Sequence, residues 1–434
     1  MDFDVYFNKV DKTDTIIHSG KIENIVGMVI ESTGPNADIG TVCRIYNSKR
    51  NSYTYAEIVG FKEKRVLLMP YEELNGIAKG SIVESTGDIL KIPVGDQIIG
   101  RVVDGFGNII DGKPGVVCGE YYPVYNKPSN PFERERISER ITIGVKAIDS
   151  LLTCGKGQRM GIFSGSGVGK STLMGMISRN IEADVNVIAL VGERGREVRD
   201  FIEKDLGESG MKKTVLVVAT SDQPAMMRLK CALTATTIAE YFKDKGKDVL
   251  LMMDSLTRFA MAQREIGLAA GEPPVARGYT PSLYSILPKL LERTGNFKNG
   301  SITGIYTVLV EGDDINEPIS DTVRGIIDGH IVLSRKVAMR SHYPAIDILA
   351  SISRIMNEIV SPEHIRTASA IRSRLSAYYD NFDLISIGAY KTGTNTKIDD
   401  AINNIDRIND FLRQGVEERF SFDQTYKMMN EIIK

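Results

Sequence analysis

The segment that most constrains this chain is QRMGIFSGSGVGKSTL, which runs from Gln158 to Leu173. It predicts a short apolar strand, a glycine-rich loop and the first turn of a helix. Glycines lack a Cβ atom, so the loop can curl and direct several N–H groups at one anion, and the helix N-terminus adds its positive dipole end. A lysine for terminal phosphate oxygens and a hydroxyl for Mg²⁺ follow. The segment therefore predicts a nucleoside triphosphate site formed by Gly165, Ser166, Gly167, Val168, Gly169, Lys170, Ser171 and Thr172.

One letter departs from the G-x-x-x-x-G-K-[ST] pattern, because Ser164 stands where the pattern has its first glycine. Serine is small enough for the exit from a strand into a loop, so we expect the substitution to be tolerated. The alternative is a glycine-rich hairpin with an exposed lysine. It is disfavoured because the strand before the loop and the helix after it both agree with a phosphate loop.

The composition is that of a globular protein with no overall charge that would attract nucleic acid. A length of 434 residues suggests two or three domains, and 54 Lys+Arg against 56 Asp+Glu give a formal net charge of −2. No run of about 18 apolar residues predicts a membrane span, and the acidic, polar N-terminus does not resemble a secretion signal. We therefore expect a cytoplasmic location.

The cysteines and histidines predict no bound metal cluster. The four residues of each type form neither a C-x-x-C pair nor an H-E-x-x-H motif, which indicates reduced, structural thiols. A catalytic metal would therefore be Mg²⁺ that arrives with the nucleotide.

Strand and helix patterns predict three domains: a β-barrel over 1–88, a nucleotide-binding α/β core over 89–358 and a helical domain over 359–434. Short β-branched runs separated by turns, between Lys21 and Lys91, are typical of a small antiparallel barrel. Beyond the phosphate loop, apolar strands alternate with helices, which favours a parallel sheet covered on both faces. A long loop is predicted between the strand that ends at Asp254 and the strand SITGIYTVLV. From about Ile359 the spacing is that of amphipathic helices.

Acidic residues end three of the predicted strands. Asp254 follows the apolar run VLLMM, where a carboxylate beside the phosphate loop can hold the hydration shell of Mg²⁺. Glu193 ends the strand VIALVG and is our candidate for orienting the attacking water. Arg194 could bind the γ-phosphate or pair with a neighbouring acid, and the whole GERGRE run could be a solvated, self-paired surface.

The third strand, TVLV, is followed by Glu311, Asp313 and Asp314. Their spacing does not decide between a role near the nucleotide and a role towards a pore or partner.

Five sequence blocks resemble a known family. They are GIFSGSGVGKSTL, LVGERGREV, TSDQPAMMRL, LLMMDSLTRFAMAQREIGLAAGEPP and GYTPSLYSILPKLLERTG, in that order. Together they resemble the export ATPases of flagella and of type III secretion, relatives of the catalytic beta subunit of rotary ATP synthases. The resemblance extends from about Gly27 to the C-terminus, and GEPPVARGYTPS is closer to the flagellar branch. It implies a β-barrel, a RecA-like parallel-sheet core and a C-terminal α-helical domain.

The resemblance also implies roles for matching positions. Lys170 and Ser171 match the phosphate-loop residues, Asp254 the aspartate on the Mg²⁺ side, Glu193 the glutamate that activates water and Arg194 the γ-phosphate arginine. Two positions come from the segment HYPAIDILASISRIM. There Tyr343 matches the residue that stacks on adenine, and Arg354 matches the arginine finger that reaches a neighbouring protomer's γ-phosphate.

Because one chain carries Glu193, an intact phosphate loop and Arg354, each protomer would be catalytic on one face and donate a finger from the other. Head-to-tail contacts of this kind close into rings, which predicts a homohexamer with sites between subunits. The resemblance further implies a stalk-like protein, a regulator and export chaperone–substrate complexes as partners. It also implies peripheral association with a membrane export gate at the inner face of the cell membrane.

Three other functions remain open at this stage. One is a rotary synthase subunit that runs in the synthetic direction, which ranks lower because this chain contains all parts of the site. An injectisome ATPase would carry the same motifs. A ring-shaped nucleic-acid translocase of the transcription-terminator kind shares the barrel-plus-RecA layout, but would require a basic, aromatic-lined barrel and stimulation by RNA. We expect no nucleic-acid partner.

Overall fold

The computed structural model describes residues 18–310 and 317–433. Its N-terminal part is a closed antiparallel barrel in the order β1-β2-β5-β4-β3-β6, as the short β-branched runs predict. Each strand turns alternate apolar side chains inward, among them Ile30, Ile45 and Leu68, which are fully buried. The strands are β1 (Ser19–Val26), β2 (Val29–Ser32), β3 (Thr41–Tyr46), β4 (Tyr53–Lys62), β5 (Arg65–Pro70) and β6 (Ile82–Ile89).

A connector of short elements joins the barrel to the core. Strands β7 (Lys91–Val94) and β9 (Glu120–Pro123) pair with each other, as do β10 (Arg140–Ile141) and β11 (Cys154–Gly155). Single 3-10 turns lie at Asp96–Ile98 and Pro131–Glu133.

Within the described residues the central sheet has nine strands, in the order β19-β18-β12-β17-β15-β13-β14-β8 with β16 beside β17. The strands from β18 to β8 run parallel, whereas β19 and β16 are antiparallel to their neighbours. Its middle strands are buried along nearly their whole length, as a parallel sheet with helices on both faces requires. The strands are β8 (Val102–Val103), β12 (Arg159–Ser164), β13 (Val185–Glu193), β14 (Thr214–Thr220), β15 (Asp248–Asp254), β16 (Gly295–Phe297), β17 (Gly300–Leu309), β18 (Gly329–Leu333) and β19 (Ile346–Ser353).

The helices of the core pack on the two faces of this sheet. A π-helical turn, Phe201–Leu206, joins α3 to α4. The α-helices are α1 (Lys146–Leu151), α2 (Lys170–Asn180), α3 (Gly195–Asp200), α4 (Gly207–Met211), α5 (Ala225–Asp244), α6 (Leu256–Ala269), α7 (Pro281–Leu291), α8 (Pro318–Ile326), α9 (Arg335–Ala338) and α10 (Met356–Ile359).

The prediction of a long loop after Asp254 is wrong. Helices α6 and α7 occupy most of that stretch, and only the residues between them, including the 3-10 turn Ala276–Gly278, are irregular. Helix α6 buries Phe259, Gln263 and Ile266 at helical spacing. The cluster GEPPVARG marks a break between two helices, and the prediction extended that break too far in both directions.

The C-terminal part is helical, as predicted from the amphipathic spacing. Helix α13 buries Ile398, Ala401, Ile405 and Ile408 on one stripe and packs against α11. The helices are α11 (Pro362–Asp380), α12 (Phe382–Ser386), α13 (Thr396–Leu412) and α14 (Phe422–Ile433). The boundaries drawn after residues 88 and 358 stay predictions. Among the described residues, none of the helices has the length and apolar character needed to cross a membrane.

A buried polar network joins the barrel to the core. Glu57 on β4 is 3% exposed, and its carboxylate lies 2.6 Å from Lys230 Nζ on α5, a side chain with no exposure. The hydroxyls of Tyr71 and Tyr125 donate to the same carboxylate at 2.6 and 2.7 Å. A buried charge is costly unless an opposite charge is paired with it, and the two hydroxyls also satisfy the Glu57 carboxylate, so the network favours one orientation of the barrel on the sheet.

Candidate functional site

The phosphate loop connects the end of β12, in the middle of the sheet, to the start of α2. Gly167 and Gly169 have φ angles of 78° and 89°, in the left-handed region that side chains other than glycine rarely adopt. Val168 between them is buried and anchors the loop, whereas Ser166 and Ser171 are exposed. The first helical hydrogen bond runs from Leu173 N–H to Gly169 O at 3.0 Å, so the preceding N–H groups of the first turn have no intrahelical acceptor. The loop thus has the backbone form of an anion site.

The structure brings together the lysine and the two carboxylates predicted for this site. Lys170 Nζ pairs with the Asp254 carboxylate and lies 3.8 Å from Glu193 Oε1. The two acids end strands β13 and β15, which are adjacent and parallel, so both reach the same edge of the sheet. All three side chains are largely buried, at 13% exposure for Lys170 and Glu193 and 5% for Asp254.

Thr307 also belongs to this cluster, although the sequence did not point to it. Its Oγ1 donates to Asp254 Oδ1 at 2.7 Å from β17, the strand between β12 and β15. The hydrogen bond, together with the contact to Lys170, holds the orientation of the Asp254 carboxylate. The contact forms because β17 is the neighbour of β15 in the sheet. The residue pattern of a single strand does not show which strand lies beside it.

The Glu193 carboxyl is poised for proton transfer near neutral pH. Burial raises the pKa of Glu193 to about 7, and repulsion from Asp254 adds to the rise, while Lys170 opposes it. Its Oε1 is buried and accepts no hydrogen bond from the described residues. A carboxylate with this pKa and an unused acceptor is suited to take a proton from a water molecule.

Arg194 and Ser164 are placed differently from the central cluster. The Arg194 side chain is 80% exposed and pairs with Glu197 at 3.5 Å, one of the two alternatives considered for it. Ser164 is the last residue of β12, buried, and its carbonyl accepts from Val310 N–H at 3.0 Å. Because its backbone is that of a regular strand, the position does not require glycine. Its Oγ has no hydrogen-bond partner within residues 18–310 and 317–433.

Tyr343, the position that matches an adenine-stacking residue, lies at the phosphate loop. Its ring is 3.7 Å from the position that a Cβ atom on Gly169 would take, and the side chain is half exposed. A cavity of about 340 Å³ opens beside it, and its lining residues come from two parts of the chain. They are Ser341, Tyr343, Arg413, Gln414, Gly415 and Glu418.

Arg354 lies at the opposite edge of the sheet from the phosphate loop. Its N–H donates to Asp328 O, and Asp328 N–H donates to Arg159 O at the start of β12. The phosphate loop follows the other end of that strand, about 16 Å away along it. The Arg354 guanidinium is exposed and donates to Arg324 O at 3.1 Å. A side chain placed there cannot serve the phosphate loop of its own chain.

Candidate metal ligands are few and of the kind that Mg²⁺ uses. In the described part of the chain no three His, Cys, Asp or Glu side chains cluster as a metal site. Asp254 and Ser171 nevertheless flank Lys170 at the loop, and Mg²⁺ commonly takes one or two protein oxygens, with phosphate and water completing its shell. Glu311, Asp313 and Asp314 lie outside the described residues.

The glycine-rich loop, its lysine and two strand-end acids on a RecA-like parallel sheet define a P-loop nucleotide-hydrolysing domain. Three family models match the chain: the nucleotide-binding domain of the ATP synthase alpha/beta family over residues 144–353, the beta-barrel domain of that family over 22–87, and the T3SS EscN ATPase C-terminal domain over 360–431.

Full-length relatives agree with these models. The chain is 57% identical to the flagellum-specific ATP synthase of Bacillus subtilis, with 94% of each chain covered. It is 46% identical to a type 3 secretion system ATPase of Xanthomonas euvesicatoria, over 95% of this chain and 93% of that one. The assembled ATPase EscN of enteropathogenic E. coli superposes with a TM-score of 0.91 at 47% identity, over 96% of this chain and all of that one. The chain belongs to the flagellar and type III secretion ATPases of the ATP synthase alpha/beta family, and it is an ATP-binding ATPase.

Proposed function

We propose that this chain is a Mg²⁺-dependent ATP hydrolase that energises flagellar (type III) protein export, with hydrolysis at the subunit interfaces of a homohexameric ring. The observation that carries the proposal is the division of the site: Lys170, Glu193 and Asp254 meet at the phosphate loop, whereas Arg354 lies at the opposite edge of the same sheet. One chain therefore carries the phosphate-loop half of the site at one edge of the sheet and the Arg354 half at the other. A complete site can form only where two neighbouring chains meet.

In this mechanism each residue of the cluster has a distinct role. The loop N–H groups and Lys170 bind the β- and γ-phosphates, and Tyr343 stacks on adenine. Glu193 accepts the proton of the attacking water, for which its raised pKa is suited. Arg194, on the exposed turn after Glu193, would exchange Glu197 for the γ-phosphate.

We assign the metal to Ser171 and Asp254. The fit rests on the Asp254 carboxylate, whose orientation Thr307 and Lys170 fix beside the first turn of α2. Mg²⁺ bound with ATP would neutralise charge on the transferring phosphoryl group.

The ring has support from a relative. Each protomer presents a catalytic face and a finger face, and such heterologous contacts close into a ring when the rotation allows. EscN, to which this chain is 46–47% identical, is described as an assembled ATPase and in complex with its central stalk EscO. We propose that this chain also assembles, as a homohexamer, and that it binds a stalk-like protein.

The remaining partners follow from the family. We propose a regulator, export chaperone–substrate complexes and a membrane export gate, with the protein in the cytoplasm and peripheral at the inner face of the cell membrane. The flagellar rather than injectisome assignment rests on identities of 57% and 50% to flagellum-specific relatives from Bacillus subtilis and Treponema pallidum, against 46% to 49% for the Xanthomonas type 3 secretion ATPase and two solved structures of type III secretion ATPases.

The ring is tested by sedimentation of the purified chain. With Mg²⁺ and a non-hydrolysable ATP analogue, we expect a species of six chains, because nucleotide at the phosphate loop gives the neighbour's Arg354 its target. ATPase activity per chain should rise with protein concentration in parallel with that species. A strictly monomeric protein that hydrolyses ATP at full rate would contradict the proposal.

The rate should also depend on pH through Glu193. Its carboxyl must be ionised to accept a proton, so activity is present above the pKa of about 7 and is lost as the pH falls through it. We expect kcat/KM to rise about tenfold between pH 6 and pH 8, because this ratio reports the free enzyme. Steady-state assays at saturating Mg²⁺ check the profile, and a flat profile over this range would exclude Glu193 as the titrating base.

A further inference from the structure

Gln414 is a buried glutamine between the C-terminal helical part and the nucleotide site. It follows α13 and is 5% exposed. Its side-chain oxygen accepts from Lys146 N–H at 2.8 Å, and its Nε2 donates to Gly144 O at 2.9 Å and Glu418 O at 3.0 Å. The side chain therefore bonds to the turn before α1 on one side and to its own loop on the other.

The main chain of the same residue holds Tyr343. Gln414 N–H donates to Tyr343 O at 3.0 Å. The tyrosine ring is half exposed beside Gly169, so side-chain packing alone holds the ring only in part. The hydrogen bond to its carbonyl is a contact that ties the Tyr343 backbone to a well-anchored neighbour.

The loop that carries Gln414, residues 413–418, is also bonded to the helix of the phosphate loop. Arg179 near the end of α2 donates to Val416 O at 2.8 Å. The next residue, Asn180, packs closely on Gly144. A Cβ atom added to Gly144 would lie only 2.4 Å from Asn180 Cβ. The 413–418 loop thus contacts the end of α2, the turn before α1 and Tyr343, and its hydrogen bonds link these three parts to one another.

We propose that Gln414 is a positioning residue: it fixes Tyr343 for the nucleobase and makes the base affinity of the site depend on how the helical domain is seated. The inference rests on the proposed stacking role of Tyr343. A preorganised contact binds its ligand at lower conformational cost than a mobile one. Because the effect acts through the base, the phosphate half of the site should not sense it.

The test is Gln414→Ala, assayed in the full-length chain. We expect KM for ATP and the inhibition constant of ADP to rise about tenfold, with kcat and the inhibition constant of inorganic tripolyphosphate within about twofold of wild type. In the Tyr343→Ala background, Gln414→Ala should add less than about twofold, because Gln414 acts on the base only through the Tyr343 ring, which that background lacks. The matched control is Gln424→Ala, at an exposed glutamine on α14 whose side chain, among the described residues, accepts only from Ser421 N–H; it should resemble wild type.

Two results would overturn the inference. One is an equal loss for ADP and tripolyphosphate, which is the signature of a general structural defect. The other is a full tenfold loss added on top of Tyr343→Ala. If Gln414→Ala does not fold, Gln414→Glu replaces it, since this variant keeps the shape and the acceptor for Lys146 N–H but removes both Nε2 donors. Wild-type protein that hydrolyses no ATP would instead contradict the proposed function itself.

Discussion

Glu193→Gln is expected to bind ATP with nearly wild-type affinity and to turn it over about a hundred to ten thousand times more slowly. Glutamine has the same shape and can occupy the same largely buried position beside Lys170, but it cannot accept a proton at any pH of interest. Loss of kcat with unchanged affinity is the sign of an interaction made only in the transition state. Fluorescent-nucleotide titration measures the affinity, and single-turnover hydrolysis measures the chemical step.

The matched control for this variant is Glu203→Gln. Glu203 lies on the π-helical turn after α3, more than half exposed, and pairs with Arg199 at 2.7 Å. A surface pair of this type contributes little, so activity should stay within about twofold of wild type. Near-normal turnover in Glu193→Gln would show that another group activates the water.

The second large loss of activity is expected on substitution of Arg354, which does not contact the phosphate loop of its own chain. Arg354→Ala should lower kcat about a thousandfold or more, because a finger stabilises charge that develops on the transferring phosphoryl group. ATP binding to the isolated protomer should be unchanged, since the phosphate loop lies at the other end of β12. Arg407→Ala, an exposed arginine on α13 that donates to Glu431 O, is the control.

Mixing Arg354→Ala with Lys170→Ala separates a finger in trans from a local defect. An intact interface forms wherever the phosphate loop of an Arg354→Ala chain meets Arg354 of a Lys170→Ala chain. In a random equimolar ring this is about one interface in four, so we expect up to about a quarter of the wild-type rate from two nearly inactive proteins. No recovery in a mixture that sedimentation shows to have co-assembled would contradict the shared site.

The part of the site that could be predicted from the sequence is the part that local rules determine. The loop at 165–172 has its own signature, and Glu193 and Asp254 each end an apolar run. Parallel strands present their carboxyl ends at one edge of a sheet, so their meeting at Lys170 follows. The barrel and the C-terminal helices were predicted from periodicity for the same reason.

The remaining contacts depend on pairings between distant residues. Thr307 reaches Asp254 only because β17 lies next to β15, and Gln414 contacts Lys146 across 268 positions of sequence. Lys230 on α5 is buried because Glu57 of the barrel pairs with it, a contact between two elements that are far apart in the sequence. The helices on both sides of GEPPVARG were missed because glycine and proline outweighed the helical spacing around them. Arg354 was selected through the family resemblance, since on its own it is an exposed arginine after an edge strand.

The separation between Arg354 and the phosphate loop has a consequence for the cell. In the proposed assembly, a newly made chain can bind ATP but hydrolyses it about a thousandfold more slowly than the ring does, because its own Arg354 cannot reach its own phosphate loop. Free protomers would therefore remain bound to ATP with little hydrolysis. Rapid hydrolysis would occur only where the local concentration of chains is high enough for the ring to assemble. The place and timing of assembly would then decide where energy is released.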